Sequence, residues 1–212
     1  MSNTKYGLIS ETDGKVIEKT IDLICKEWDD EIINICEIGL YNCETSIGIM
    51  NYYWQHHITD IKSINYTGID NNKDKWIIAP DWMNFISGNS NEVYNQLGDN
   101  SQHLIFIDGC HNFPSVIQDF FCYAPKVKVG GYLAFHDTGK HIKPFKDYQG
   151  VGSKEDSDMY ISVRKALETI GLLWEEGRNL FIDRYAEEWE LIFDEADKKD
   201  EAGGVCVFKK IA

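Results

Sequence analysis

Four short apolar runs end in a carboxylate or a glycine: EIINICEIG (31–39), NYTGID (65–70), HLIFID (103–108) and GYLAFHD (131–137). Between them lie segments with helical spacing, and this alternation constrains the fold more than any other feature of the chain. Strands alternating with helices pair in parallel through right-handed crossovers, which gives an α/β sheet covered on both faces. The reading along the chain is a helix over 14–28, a strand over 31–39, a helix over 44–58, a strand over 65–70 and a short helix over 73–79 stopped by Pro80. A strand over 83–87, a helical turn or two over 92–97 and a strand over 103–108 follow. Then come a helix over 115–124 opened by Pro114 and a strand over 131–137.

The tail departs from the alternation. A helix over 159–170 ends at Gly171, and segments 188–193 and 204–209 are strand-like with no helical pattern between them, so they are expected to form an antiparallel pair closing one edge of the sheet. With 212 residues, 43% of them apolar, one domain over 1–212 with a single core is expected. Residues 1–30 read as a helical lead-in that serves packing. Residues 138–158 lack any period and carry Lys140, Lys143 and Lys146, so they are a candidate lid over a site. The lysines hint at an anionic substrate, although a solvated loop surface explains them more simply.

Charge narrows the partners. With 35 acidic and 21 basic residues the formal net charge is -14, which opposes binding of nucleic acid or an anionic membrane surface. The six cysteines form no C-x-x-C pair and several sit within apolar runs, as reduced thiols in a cytoplasmic protein do. Neither a signal sequence nor an apolar stretch of membrane-spanning length is recognisable, and a small-molecule partner is expected. The aromatic stretch Tyr52-Tyr53-Trp54 belongs either to the core or to a homo-oligomer interface.

In an open parallel sheet, ligands bind beyond the carboxyl ends of the strands. The residues at those ends are Glu37 with Gly39, Asp70, Asn89 with Ser90, Asp108 with His111, and His136-Asp137. Asp70 stands where a carboxylate accepts hydrogen bonds from ribose hydroxyls, or where it caps the following helix. Asp108 and Asp137 end two strands that, if adjacent, lie about 4.8 Å apart, close enough to share one cation. Mg²⁺ suits two carboxylates, and a ligating His136 or His111 would favour Mn²⁺, Fe²⁺ or Zn²⁺. The alternative is that Asp108 caps a turn with Gly109 and that His136, one residue from Asp137 in a strand, points to the opposite face. His111, three residues beyond Asp108, is a candidate general base.

These residues carry a family likeness. LIFIDGCHNFPSVIQDFFCYAPKVKVGGYLAFHDT (104–138) resembles the "IDG-x-H … GG-x-x-x-x-HD" branch of class I S-adenosylmethionine-dependent methyltransferases, including Asp119 and Gly130-Gly131. CEIGLYNCETS, TGID and ISGNSNEVYNQL look like that family's first cofactor motif, its ribose-binding strand end and its adenine-side segment. The resemblance implies a Rossmann-like, doubly wound, mostly parallel sheet of seven strands with a C-terminal antiparallel pair. It implies a cofactor site lined by Glu37, Gly39, Asp70, Asn89, Ser90 and Asp108. Asp108, His111 and Asp137 would then be the catalytic group, with a cation on Asp108, Asp137 and His136. The implied reaction is O-methylation of a small molecule or sugar.

The chain departs from the family at Asn42 and Cys43, where a second glycine is usual because the backbone passes close to the methionine moiety. A Cβ there crowds the cofactor unless the turn opens. A non-catalytic scaffold with a degenerate site is therefore the rival reading. A nicotinamide-dependent oxidoreductase is a weaker one, because no G-x-G-x-x-G loop is present.

Overall fold

A computed structural model describes residues 5–6, 9–29, 32–57, 63–71, 77–139, 163–173, 188–195 and 203–212. Among these residues, seven strands form one sheet in the order β3-β2-β1-β4-β5-β7-β6. They are β1 (Ile32–Ile38), β2 (Ser63–Asp70), β3 (Met83–Ser87), β4 (Gln102–Ile107), β5 (Val127–His136), β6 (Trp189–Glu195) and β7 (Val205–Lys210). The first five pair in parallel, and β7 enters antiparallel between β5 and β6. The chain steps outward from β1 to β3, then crosses back to place β4 on the other side of β1. The strand order therefore reverses between β1 and β4, the place where open α/β sheets form a ligand crevice.

The two-residue period of the strands sorts side chains onto two cores. Cys36 and Ile38 of β1 and Ile105 and Ile107 of β4 pack on the face that also receives Val116 and Phe120. Ile33, Ile35, Leu104 and Phe106 alternate with them and pack against Val16, Ile17, Ile21 and Ile49. Among the described residues, four helices supply these faces: α1 (Glu11–Glu27), α2 (Glu44–His56), α4 (Phe113–Tyr123) and α5 (Val163–Thr169), with the single turn α3 (Ser90–Val93) between α2 and α4. α1 starts where the Ser10 side chain accepts from the Asp13 amide, and α4 where Asn112 accepts from the Ser115 amide just beyond Pro114. Within the aromatic stretch Tyr53 is core, while Trp54 is exposed and meets Trp82 edge-on.

Several expected boundaries move. β5 begins at Val127 rather than Gly131, so Gly130 and Gly131 lie inside the strand, where its pairing with β4 shifts register between Gln102 and Leu104. A Cβ on Gly131 would come within 3.0 Å of the His103 carbonyl oxygen, which explains why the strand needs glycine there. β5 also stops one residue early, because Asp137 takes a left-handed conformation at φ 56. The helical segment expected over 92–97 is α3 followed by a 3₁₀ turn over Tyr94–Gln96. The helix expected over 73–79 falls partly outside the described residues, and 77–79 are irregular. Most of the 138–158 loop also lies outside them.

All six cysteines are free thiols. No helix among the described residues is long and apolar enough to cross a membrane.

Candidate active site

Four side chains converge at the carboxyl ends of β4 and β5. Asp108 follows β4, His111 sits one turn beyond it, His136 ends β5 and Asp137 follows. One ligating atom from each of the four lies within 4.8 Å of every other. Regular alternation would send His136 and Asp137 to opposite faces. The left-handed backbone at Asp137 breaks that alternation and returns its carboxylate to the same side. His136 Nδ1 lies 2.9 Å from Asp108 Oδ1, and His111 Nε2 lies 3.3 Å from Asp108 Oδ1 and 3.1 Å from Asp137 Oδ2. The expectation that Asp108 and Asp137 lie together is met, and the alternative in which His136 faces away is overturned.

The charges in this cluster set one another. Burial opposes ionisation of Asp108, but the charges and hydrogen bonds of His136 and His111 outweigh it and hold the carboxyl well below its usual range. Burial likewise opposes the imidazolium of His136, yet Asp108, Asp137 and Asp13 raise it well above 6.5. His111 is raised by Asp108 and Asp137 against the same penalty. Asp137 moves the other way: burial lifts its carboxyl, and the two histidines only partly offset that. The set holds carboxylate oxygens and imidazole nitrogens at cation-sharing distances, a donor set suited to Mn²⁺, Fe²⁺ or Zn²⁺ as well as Mg²⁺.

The residues expected around a cofactor lie on the same rim. Gly39 ends β1 at φ 87, and a Cβ there would meet the Asp108 carbonyl oxygen at 2.1 Å. This glycine therefore allows the carboxyl ends of β1 and β4 to approach each other. Asp70 Oδ2 accepts the amide of Leu40 at 2.9 Å and, more weakly, that of Tyr41 at 3.4 Å. It thus shapes the loop that follows Gly39. Asn89 and Ser90 open α3 at the end of β3, where Ser90 Oγ donates to Asp119 Oδ1 at 2.6 Å and Tyr123 donates to the Ser90 carbonyl at 2.8 Å. Burial pushes the Asp119 carboxyl up to about 6 against that hydrogen bond.

Glu37 differs from the rest. Its side chain turns into the core, where Oε2 accepts from Ser46 and Tyr66 and Oε1 is buried without a partner among the described residues. Burial pushes the carboxyl up to about 8. The loop after Gly39 adopts glycine-like conformations without glycine, with Tyr41 at φ 49 and Cys43 at φ 62. Cys43 is fully buried among Val16, Leu40 and Ile49, so its side chain enters the core. The Cys43 amide donates to the Leu40 carbonyl at 2.7 Å, closing the turn.

One member of the site comes from the segment read as packing alone. Asp13 of α1 is buried, and its Oδ2 lies 3.3 Å from His136 Nε2, 123 positions away in sequence. The S-x-x-D pattern of Ser10 and Asp13 marks a helix start, but nothing local in the sequence shows what the Asp13 carboxylate meets. Among the histidines assigned no role, His103 is buried with Nδ1 accepting the Asn34 amide, and His57 pairs with Asp22 at 2.8 Å.

Residues 37–138 match the family model described as a methyltransferase domain. No protein of curated function matches the sequence significantly. Among solved structures, a Corynebacterium glutamicum protein is 15% identical with a TM-score of 0.60, the match covering 98% of this chain and 84% of that one. The O-methyltransferase TomG of Streptomyces achromogenes, involved in tomaymycin synthesis and solved with S-adenosylmethionine, is 14% identical with a TM-score of 0.58, over 96% and 82% of the two chains. An O-methyltransferase from Bacillus cereus, solved with S-adenosylhomocysteine, is 13% identical with a TM-score of 0.56, over 95% and 82%. At these identities the likeness to solved structures establishes the fold. The fold is therefore the one these solved structures share, and the stretch over residues 37–138 is similar to a methyltransferase domain.

Proposed function

We propose that this chain is an S-adenosylmethionine-dependent O-methyltransferase acting on a hydroxyl of a small molecule or sugar, assisted by a divalent cation. The observation that carries the proposal is the convergence of Asp108, His111, His136 and Asp137 beside Gly39, at the point where strand order reverses. S-adenosylmethionine supplies an electrophilic methyl group. A cation held by Asp108, His136 and Asp137 would supply Lewis acidity that lowers the pKa of an acceptor hydroxyl.

The protein's own residues do the rest. Asp70 and the turn it holds form the wall expected to meet the ribose, and Asn89 and Ser90 form the adenine side. The side chain of Cys43 lies in the core, which supports a cofactor path along the loop despite the missing glycine. His111, with Nε2 3.3 Å from Asp108 and 3.1 Å from Asp137, would take the acceptor proton as a neutral imidazole. Much of the rate would come from alignment, since holding nucleophile and methyl group in near-attack geometry removes most of the entropic barrier.

The test is methyl transfer from radiolabelled S-adenosylmethionine to a panel of phenolic, vicinal-diol and sugar acceptors, with Mg²⁺, Mn²⁺ or a chelator. Transfer that falls in the chelator and in Asp108→Asn supports the proposal. Transfer indifferent to both removes the cation, and no transfer to any hydroxyl acceptor counts against O-methylation.

A further inference from the structure

His136 is held from both sides. Nδ1 faces Asp108 at 2.9 Å and Asp137 at 3.7 Å, while Nε2 faces Asp13 Oδ2 at 3.3 Å. Asp13 occupies the third position of α1, where an acidic side chain ordinarily reaches back to the amide of the N-cap residue. Here its Oδ2 is directed instead to His136 and to the Gly204 amide at 3.4 Å, and Oδ1 is buried without a partner among the described residues. A carboxylate this deeply buried, with one oxygen left without a partner among the described residues, is costly for packing alone. Its geometry fits a different task, because a neutral imidazole carries one proton, and the partner of one ring nitrogen decides which nitrogen is left to ligate.

We propose that Asp13 is the positioning residue of the cation site: when a cation replaces the proton on His136 Nδ1, Asp13 from α1 would hold the remaining proton on Nε2 and leave the Nδ1 lone pair to the cation shared with Asp108 and Asp137. The inference rests on the cation reading above and extends it, because it makes the docked N-terminal helix part of the site. Outer partners of ligating histidines have this role generally, and losing one weakens metal affinity by roughly 10–100-fold.

The experiment measures Mn²⁺ uptake by loss of the free-ion paramagnetic resonance signal, in wild type, Asp13→Leu and Asp13→Asn. Affinity for S-adenosylmethionine without metal is measured in parallel by calorimetry, and nitrogen spectra of ¹⁵N-histidine protein are recorded with Zn²⁺. Asp13→Leu, which has no acceptor, is expected to bind Mn²⁺ roughly 10–100-fold more weakly with S-adenosylmethionine affinity unchanged. Asp13→Asn, which keeps a carbonyl acceptor, is expected to recover most of the loss and to retain the Nε2–H form of His136. Wild-type Mn²⁺ affinity in a folded Asp13→Leu protein would overturn the proposal. If that variant does not fold, a proton on Nδ1 of His136 in Zn²⁺-loaded Asp13→Asn would overturn it instead. A wild-type protein that binds S-adenosylmethionine but takes up no Mn²⁺ would end the cation reading and this inference together, leaving methyl transfer standing.

Discussion

His136 Nδ1 lies 2.9 Å from Asp108 Oδ1, across the boundary between β4 and β5. The two residues are neighbours because parallel pairing sets Ile107 beside Phe135, so that the next residue of each strand emerges at the same rim. The left-handed turn at Asp137 adds a second carboxylate, and His111 completes the group.

The first prediction concerns pH. His111 takes a proton only as the neutral imidazole, and Asp108 and Asp137 raise its pKa above 6.5. Turnover should therefore be low in acid and rise through an apparent pKa above 6.5. Because added positive charge opposes the imidazolium, saturating Mn²⁺ should move that limb to lower pH. A kcat/KM profile at two Mn²⁺ concentrations measures both; a limb that is unchanged in His111→Gln would remove this residue as the base.

Gly39 offers a test of the rim itself. Gly39→Ala places a Cβ 2.1 Å from the Asp108 carbonyl oxygen at φ 87, where both the contact and the backbone are strained. The expected loss is about 3 kcal/mol in urea unfolding. A loss under about 0.5 kcal/mol, the size of an ordinary surface substitution, would mean that β1 and β4 do not approach as described.

Asp70 does two things that two variants separate. Asp70→Ala removes the acceptor of the Leu40 amide and should cost about 1–2 kcal/mol of stability. Asp70→Asn keeps an acceptor for that amide, so it should recover most of the stability while still losing cofactor affinity, because an amide accepts ribose hydroxyls less strongly than a carboxylate. Equal cofactor affinity in Asp70→Asn and wild type would limit Asp70 to holding the loop.

Glu37 should make stability fall as pH rises. Its carboxyl is at about 8 in the folded protein against 4.5 ordinarily, so the folded state holds a proton that the unfolded state has lost across that window. Stability then declines by up to about 1.4 kcal/mol per pH unit between the two values and levels off above them. Denaturant midpoints from pH 5 to 9 should show a shallower decline in Glu37→Gln, and parallel curves would contradict the buried, protonated carboxyl.

Much of the architecture was legible because it follows from local pattern. The two-residue period of HLIFID and the acidic strand ends are written in consecutive residues, and so are the antiparallel last strands. The site was legible as a set of strand ends, but not as a geometry. Alternation argues against His136 and Asp137 sharing a side, and only a left-handed backbone at a non-glycine residue reverses it. Glu37 sits at the expected strand end, yet its burial depends on Ser46 and Tyr66 from two other elements. Asp13 was invisible for the same reason: its partner is 123 positions away, and no local pattern encodes that contact.

The most direct measurement of the central claim is calorimetric titration of the purified protein with S-adenosylmethionine and S-adenosylhomocysteine, beside Asp70→Ala. The account predicts micromolar binding of both ligands, lost or weakened at least about tenfold in the variant, where tenfold corresponds to 1.4 kcal/mol. No binding of either ligand to the wild-type protein, with or without Mn²⁺, would contradict it and make the chain a methyltransferase fold without its cofactor.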